Sequence, residues 1–390
     1  MIKETVSPSG ITYKEYDRRW SSALERLRAL NADALIVTNS THIDYLIGHD
    51  ARGADMAPFF VIVAPNTPRT LICRGMEAVS VEAEAIPVDM YTYFSGVEDA
   101  IPLWAETLKR LGFKKAKIAL ELDTWGLCHK DVTDLQGLLP TIDIVDGTSV
   151  IAEAIDIKSA EEISHIRRCI GYTDLMFDTW FQSLRLGISE YESQARVLST
   201  LETITSDDVE VLRHETNTLF GKRTRLPHGN ASKRNFLNTG DIATFEAAPF
   251  VHGYAAGYCR TAIFQGRHKK AEELHALSDE AVQTGIDIVK PGVSAGLVDE
   301  AIRGVLVKAG RTSCYRHRSG YSHGFHWNHR GGISLRPGAS KLIEKDMVLF
   351  LTCFLYDESG DFGVVTSDPV LVTQNGCEVL TKSSRDIRFI

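Results

Sequence analysis

Gly240–Gly266, GDIATFEAAPFVHGYAAGYCRTAIFQG, reads as two strands, Ile242–Ala248 and Tyr258–Phe264, joined through Pro249, Gly253, Gly257 and small residues. Glu246 is the one carboxylate inside the first strand. An acidic residue between Phe245 and Ala247 must be paired, metal-bound, protonated or catalytic, because burying a lone carboxylate costs several kcal/mol or shifts its pKa. Pairing with an arginine such as Arg260 is the plain structural explanation, and chemistry is the other. This stretch is where the chemistry is expected.

Outward from it, the second half alternates helix and strand. A long stretch of helical pattern spans 151–184, and within it Lys158-Ser159 followed by Ala160-Glu161-Glu162 reads as a helix start; further helices are expected near Glu190–Thr203, Lys270–Val289 and Val298–Ala309. Pro291-Gly292 stops the third of these, and Met347–Leu355 and Pro369–Thr373 read as late strands. The first half opens with an amphipathic helix carrying Tyr16, Trp20, Leu24, Leu27 and Leu30. Short β-rich runs follow at Ala34–Thr38, Phe59–Ala64, Thr70–Cys73, Lys117–Glu121 and Ile142–Val145, with a helix at Val97–Leu111 between them. The expected architecture is therefore α/β in two domains, 1–150 and 151–390.

Composition excludes several classes. The 390 residues are 44% hydrophobic and 24% charged, the pattern of a soluble globular chain, and the net charge of −8 comes without a basic block, against a nucleic-acid surface. No run approaches the ~18 apolar residues of a membrane span, and the N-terminus lacks a signal-peptide core, so a cytoplasmic protein is expected. The seven cysteines form no CxxC pair and read as buried free thiols. GxGxxG, GxxxxGK[ST] and GxSxG are all missing, which removes the usual dinucleotide, nucleotide and serine-hydrolase readings. Histidines 317, 323, 326 and 329 crowd one segment, but their spacing matches neither HExxH nor a finger. His228 lies in the Pro/Gly turn Leu226-Pro227-His228-Gly229.

Several motifs in order carry a resemblance. They are Ile157-Lys158-Ser159-Ala160-Glu161-Glu162, the Leu226–Gly229 turn, the GD…E…R-T stretch, Lys290-Pro291-Gly292, Gly320-Tyr321-Ser322-His323-Gly324 and Met347–Phe354. Together they resemble the pita-bread superfamily, which holds methionine and Xaa-Pro aminopeptidases, creatinase and ectoine hydrolase. The resemblance implies an N-terminal α/β creatinase-like domain and a C-terminal pita-bread α+β domain. The metallopeptidases of that superfamily bind two dications with Asp, Asp, His, Glu and Glu, which fall here on Glu246, Gly257, His323, Thr352 and Ser367. Hard dications need carboxylate oxygens, so no metal and no other cofactor is expected.

Creatinase is similar in its acid/base histidine, at His228, but its two guanidinium-gripping glutamates fall on Cys259 and Thr352. The ectoine hydrolase branch is similar in its glutamate at 246, a small residue at 257, and Ser334-Leu335-Arg336-Pro337. The implied activity is metal-independent hydrolysis of a non-peptide C–N bond in a small amidine-type compound, with Glu246 as nucleophile or base and His228 moving protons. His323, Arg52, Arg336, Tyr258 and Trp327 are the expected substrate-binding residues, Arg52 acting from a partner subunit of a homodimer. The alternatives are a creatinase-like hydrolase of another small osmolyte, an Xaa-Pro aminopeptidase-like metallohydrolase, and a non-catalytic binding module.

Overall fold

The computed structural model describes residues 5–51, 57–204, 209–327, 329 and 331–390. It divides into two compact units, Met1–Ile155 with His329–Gly332, and Asp156–Asn328 with Ile333–Ile390.

The first unit is one six-stranded mixed sheet with helices. Its strands are β1 (Ala34–Val37), β2 (Phe60–Val63), β3 (Thr70–Arg74), β4 (Asp89–Tyr93), β5 (Lys117–Leu120) and β6 (Asp143–Asp146), in the order β4-β3-β2-β1-β5-β6. The helices are α1 (Tyr13–Ala29), α2 (Ser40–Ile47), α3 (Ala78–Glu84), α4 (Ala100–Arg110), α5 (His129–Leu138) and α6 (Thr148–Asp156). Central strands such as Ala34–Val37 are buried on both faces, which is why they read as unbroken apolar runs. Trp104 of α4 stacks on Phe60 with ring centroids 4.2 Å apart and anchors the core.

The second unit contains α7 (Ala160–Ser183), α8 (Glu190–Glu202), α9 (Lys269–Ile288) and α10 (Ala295–Lys308). Its strands are β7 (Val209–Phe220), β8 (Ile242–Val251), β9 (Tyr254–Ala255), β10 (Tyr258–Ile263), β11 (Gly320–Ser322), β12 (Ser334–Leu335), β13 (Val348–Tyr356), β14 (Gly363–Val372), β15 (Cys377–Val379) and β16 (Arg388–Phe389). One sheet runs β16-β10-β8-β7 with β9 on β8; the other runs β12-β11-β13-β14-β15.

Each sheet buries one face against helices. Phe177 and Trp180 of α7 cover Phe245 and Tyr258, while α9 and α10 cover Leu349, Leu351, Cys353 and Leu355. The start of α7 is locked by reciprocal bonds: Glu162 N–H donates to Ser159 Oγ (3.2 Å) and Ser159 N–H to Glu162 Oε2 (2.7 Å). The sheets are stitched where Thr261 Oγ1 donates to Val365 O and accepts from Val365 N–H, both at 3.0 Å. Strand β7 is a departure from the sequence reading, since its polar run HETNT hides a strand made by pairing with β8. Among the described residues no helix is long and apolar enough to cross a membrane.

Candidate active site

Strand alternation builds the site in the second unit. Asn217, Glu246 and Cys259 stand directly opposite one another across β7, β8 and β10, so their side chains share one face. Phe350, Thr352, Phe354 and Tyr356, every second residue of β13, face the same cavity from the other sheet. Tyr321 and the turn with Pro227 and His228 complete the wall, with His317 near His228. The cavity has a volume of about 110 Å³, several times the one-water minimum of roughly 10–15 Å³.

Glu246 is the only carboxylate among the lining residues described. Cys259 Sγ–H donates to Glu246 Oε1 at 3.3 Å. Burial, and next the Glu246 charge, push this thiol well above its ordinary pKa, so it stays a neutral donor. The same two causes raise the Tyr321 hydroxyl. Burial lowers the His317 imidazole; the hydrogen bond to the Arg318 carbonyl opposes this, and the charges of Arg318 and His228 add smaller lowering contributions. Arg260 does not pair with Glu246. Its Nη2 donates to Asp368 Oδ1 (2.8 Å) and its Nη1 to Ser367 O (2.7 Å), in a buried network of its own.

Of the expected site residues, Glu246 and His228 come together in the cavity and the others do not. His323 is buried outside the lining. Its Nε2 accepts from Gly257 N–H (3.0 Å), and its Nδ1 lies 2.6 Å from Trp327 O, so both ring nitrogens are committed to backbone. Burial pushes this imidazole down to about 4, and it is neutral. Tyr258 projects to the helical face, opposite Cys259. Its hydroxyl donates to Asp174 Oδ1 (2.8 Å) and its ring stacks on Phe177. Trp327 packs beside the cavity, and its Nε1–H donates to the Tyr321 hydroxyl (2.7 Å). Arg336 is exposed and lines no part of the cavity. Arg52 lies outside the described residues.

No motif marks Asn217 or the aromatic face of β13, and Cys259 and Tyr321 stand outside the set of site residues expected from the sequence. The alternation FLTCFLY was the signal available for the last of these.

A dication pair does not fit these residues. His323 has no lone pair to spare. A Cβ on Gly257 would lie 2.4 Å from the Trp327 ring and 2.5 Å from Ala247 O, so no carboxylate can stand there. Thr352 and Ser367 oppose each other across β13 and β14, and Ser367 Oγ accepts from Cys259 N–H (2.7 Å). Among the described residues no group of three or more His, Cys, Asp or Glu side chains is placed to hold a metal ion.

Comparison with known proteins decides the family. Residues 164–374 match metallopeptidase family M24, and residues 19–154 match the creatinase/prolidase N-terminal domain. The chain belongs to metallopeptidase family M24. An uncharacterized peptidase of Staphylococcus aureus is 25% identical over 362 residues, covering 93% of this chain and 98% of the relative. Among solved structures, the X-Pro aminopeptidase of Thermotoga maritima superposes with a TM-score of 0.81 at 21% identity, over 95% of this chain and 99% of that one. The recombinant prolidase of Thermococcus sibiricus gives 0.83 at 20%, over 96% and 99%. The dipeptidase PepE of Mycobacterium ulcerans gives 0.83 at 21%, over 97% and 98%.

These M24 relatives overturn the expectation of an ectoine-hydrolase-like enzyme acting on a non-peptide C–N bond. They are named as peptidases, X-Pro enzymes among them. That expectation leaned on the residues lost from the ligand positions, and a lost ligand says what a site cannot hold without saying what it cleaves.

Proposed function

We propose that this M24 chain is a hydrolase of short peptides, with Xaa-Pro dipeptides the first class to test, and that it activates water with a carboxylate instead of a dication pair. The observation that carries this reading is Glu246, an acidic group on a cavity wall shared with His228 and enclosed by aromatic rings. The names of the related proteins favour a peptide bond as the target.

Glu246 takes a proton from water as the oxygen adds to the amide carbonyl carbon. As the C–N bond breaks, His228 delivers a proton to the departing nitrogen, which for proline is a strongly basic secondary amine and needs one. The apolar walls limit the water that competes for these groups. Assembly as a homodimer belongs to the same reading, and light scattering tests it.

The function test is release of free amino acid from a panel of Xaa-Pro and other dipeptides, followed by mass spectrometry after chelator treatment. Chelated wild type is expected to keep its turnover, and Glu246→Gln to lose about 10²–10⁴-fold in kcat/KM. Failure of every dipeptide overturns the reading, as does turnover that vanishes with chelator and returns with Mn²⁺ in both proteins.

A further inference from the structure

Asn217 belongs to the same row as Glu246, and no motif marks it. It is Glu246's direct partner across β7 and β8, which places the two Cβ atoms about 5 Å apart on one face. Both line the cavity.

The orientation of the amide follows from its other bond. Asn217 Nδ2 donates to Pro227 O at 3.0 Å, and because a carbonyl can only accept, the NH₂ must be the end that faces it. Oδ1 is therefore turned away from the turn. It is buried and has no hydrogen-bond partner among the described residues. Buried amide oxygens are rarely left without a donor, so this one calls for a ligand hydrogen. One side chain thus ties down the turn that carries His228 and keeps an unpaired acceptor on the residue directly opposite Glu246.

We infer that Asn217 is a further catalytic residue, whose Oδ1 accepts one hydrogen of the attacking water while Glu246 takes the other as a proton. The inference rests on the hydrolase reading above. Two acceptors on adjacent strands fix both O–H bonds of the water, which aims an oxygen lone pair at the carbonyl carbon. The balance is complete without a co-reactant. Water loses one proton to Glu246 and gives its oxygen to the acyl carbon, the C–N bond breaks, and the nitrogen takes a proton from His228. Glu246 and His228 return to their starting states by exchange with solvent.

The identity of residue 217 then has direct consequences. Leucine matches the shape of asparagine but accepts nothing. Aspartate would set carboxylate oxygens against both Pro227 O and Glu246. Serine keeps a short acceptor without the bond to Pro227.

The test has two arms. With a dipeptide that wild type cleaves, Asn217→Leu is expected to lower kcat about 100-fold with KM within about threefold, and Asn217→Ser to recover part of it. Thermal midpoints of the variants confirm that they fold. A rise in KM with unchanged kcat, or no change in either, overturns the inference. The second arm needs no turnover. A high-resolution crystal structure of wild type is expected to show a water within hydrogen-bond distance of Asn217 Oδ1 and Glu246, and that of Asn217→Leu to lack it. A dry site in wild type overturns the inference even where peptides are cleaved. A bound water in a protein that cleaves no peptide supports the water site and overturns the hydrolase reading alone.

Discussion

Gly257 settles what this site can hold. Its Cβ position is blocked by a Trp327 ring carbon at 2.4 Å and by the backbone oxygen of Ala247 at 2.5 Å. A strand oxygen cannot step aside as a flexible side chain can. Gly257→Ala is therefore expected to cost about 1–3 kcal/mol by overpacking, and Gly257→Asp more, since it also buries a carboxylate. Urea unfolding measures both, and a neutral Gly257→Ala would contradict the packing described.

His323 makes a second prediction at this scale. Burial holds its imidazole at about 4, below the ordinary value of ~6.5. Between these pH values the unfolded chain binds a proton that the folded chain refuses. Stability from this group is therefore full above about pH 6.5 and falls as pH drops toward 4, by roughly 2 kcal/mol between pH 7 and 5. His323→Gln can serve both backbone partners without titrating. It should flatten the pH dependence of unfolding, leaving the parallel contribution of His275, which burial also lowers to about 4. An unchanged slope in the variant would remove His323 from the account.

Glu246 was legible in the sequence because an acid in a neutral strand needs a reason, and the structure puts it on the wall of a cavity that His228 also lines. His323 and Tyr258 misled for two different reasons. The glycines around His323 mark a tight backbone passage, which here is filled by protein. Tyr258 precedes Cys259 by one residue, and in a strand that single step sends a side chain to the opposite face. Asn217 had no signal because its meaning comes from a partner strand 29 positions away.

At the scale of elements, β13 divides its labour by parity. Phe350, Thr352, Phe354 and Tyr356 look into the cavity, while Leu349, Leu351, Cys353 and Leu355 join the core under α9 and α10. The two sets predict opposite phenotypes. Leu351→Ala should cost about 2–5 kcal/mol of stability and leave the kinetic constants of the folded fraction unchanged. Phe354→Ala should raise KM by opening the wall, with a smaller loss of stability. Denaturation and steady-state kinetics on the same preparations separate the two, and a kinetic defect in Leu351→Ala would break the division.

Helix positions were readable from periodicity and caps. The α7 start at Ser159 shows both bonds of its capping box. Pairing was not readable in the same way. β7 is polar and β11, β12 and β16 are very short, so their strand character comes from neighbours that bring no local signal.

For the whole molecule, family and chemistry separate. The M24 match and the creatinase/prolidase N-terminal match together give the two-domain α/β architecture, and the likeness to X-Pro enzymes extends over nearly the full chain. Fold likeness at about one residue in five identical does not carry a metal centre with it. The residues that the sequence resemblance sets at the ligand positions decide that, and they are a carboxylate hydrogen-bonded to a thiol, a glycine under an indole, a histidine spent on backbone, a threonine and a serine.

Metal binding by the purified, chelator-treated protein tests this most directly. Calorimetric titration with Mn²⁺, paired with elemental analysis and a thermal midpoint at saturating ion, reads stoichiometry and linkage together. No stoichiometric uptake and an unmoved midpoint are expected. Two ions per chain, with the stabilisation of about 2.7 kcal/mol that a specific ligand gives at a hundred times its Kd, would contradict it.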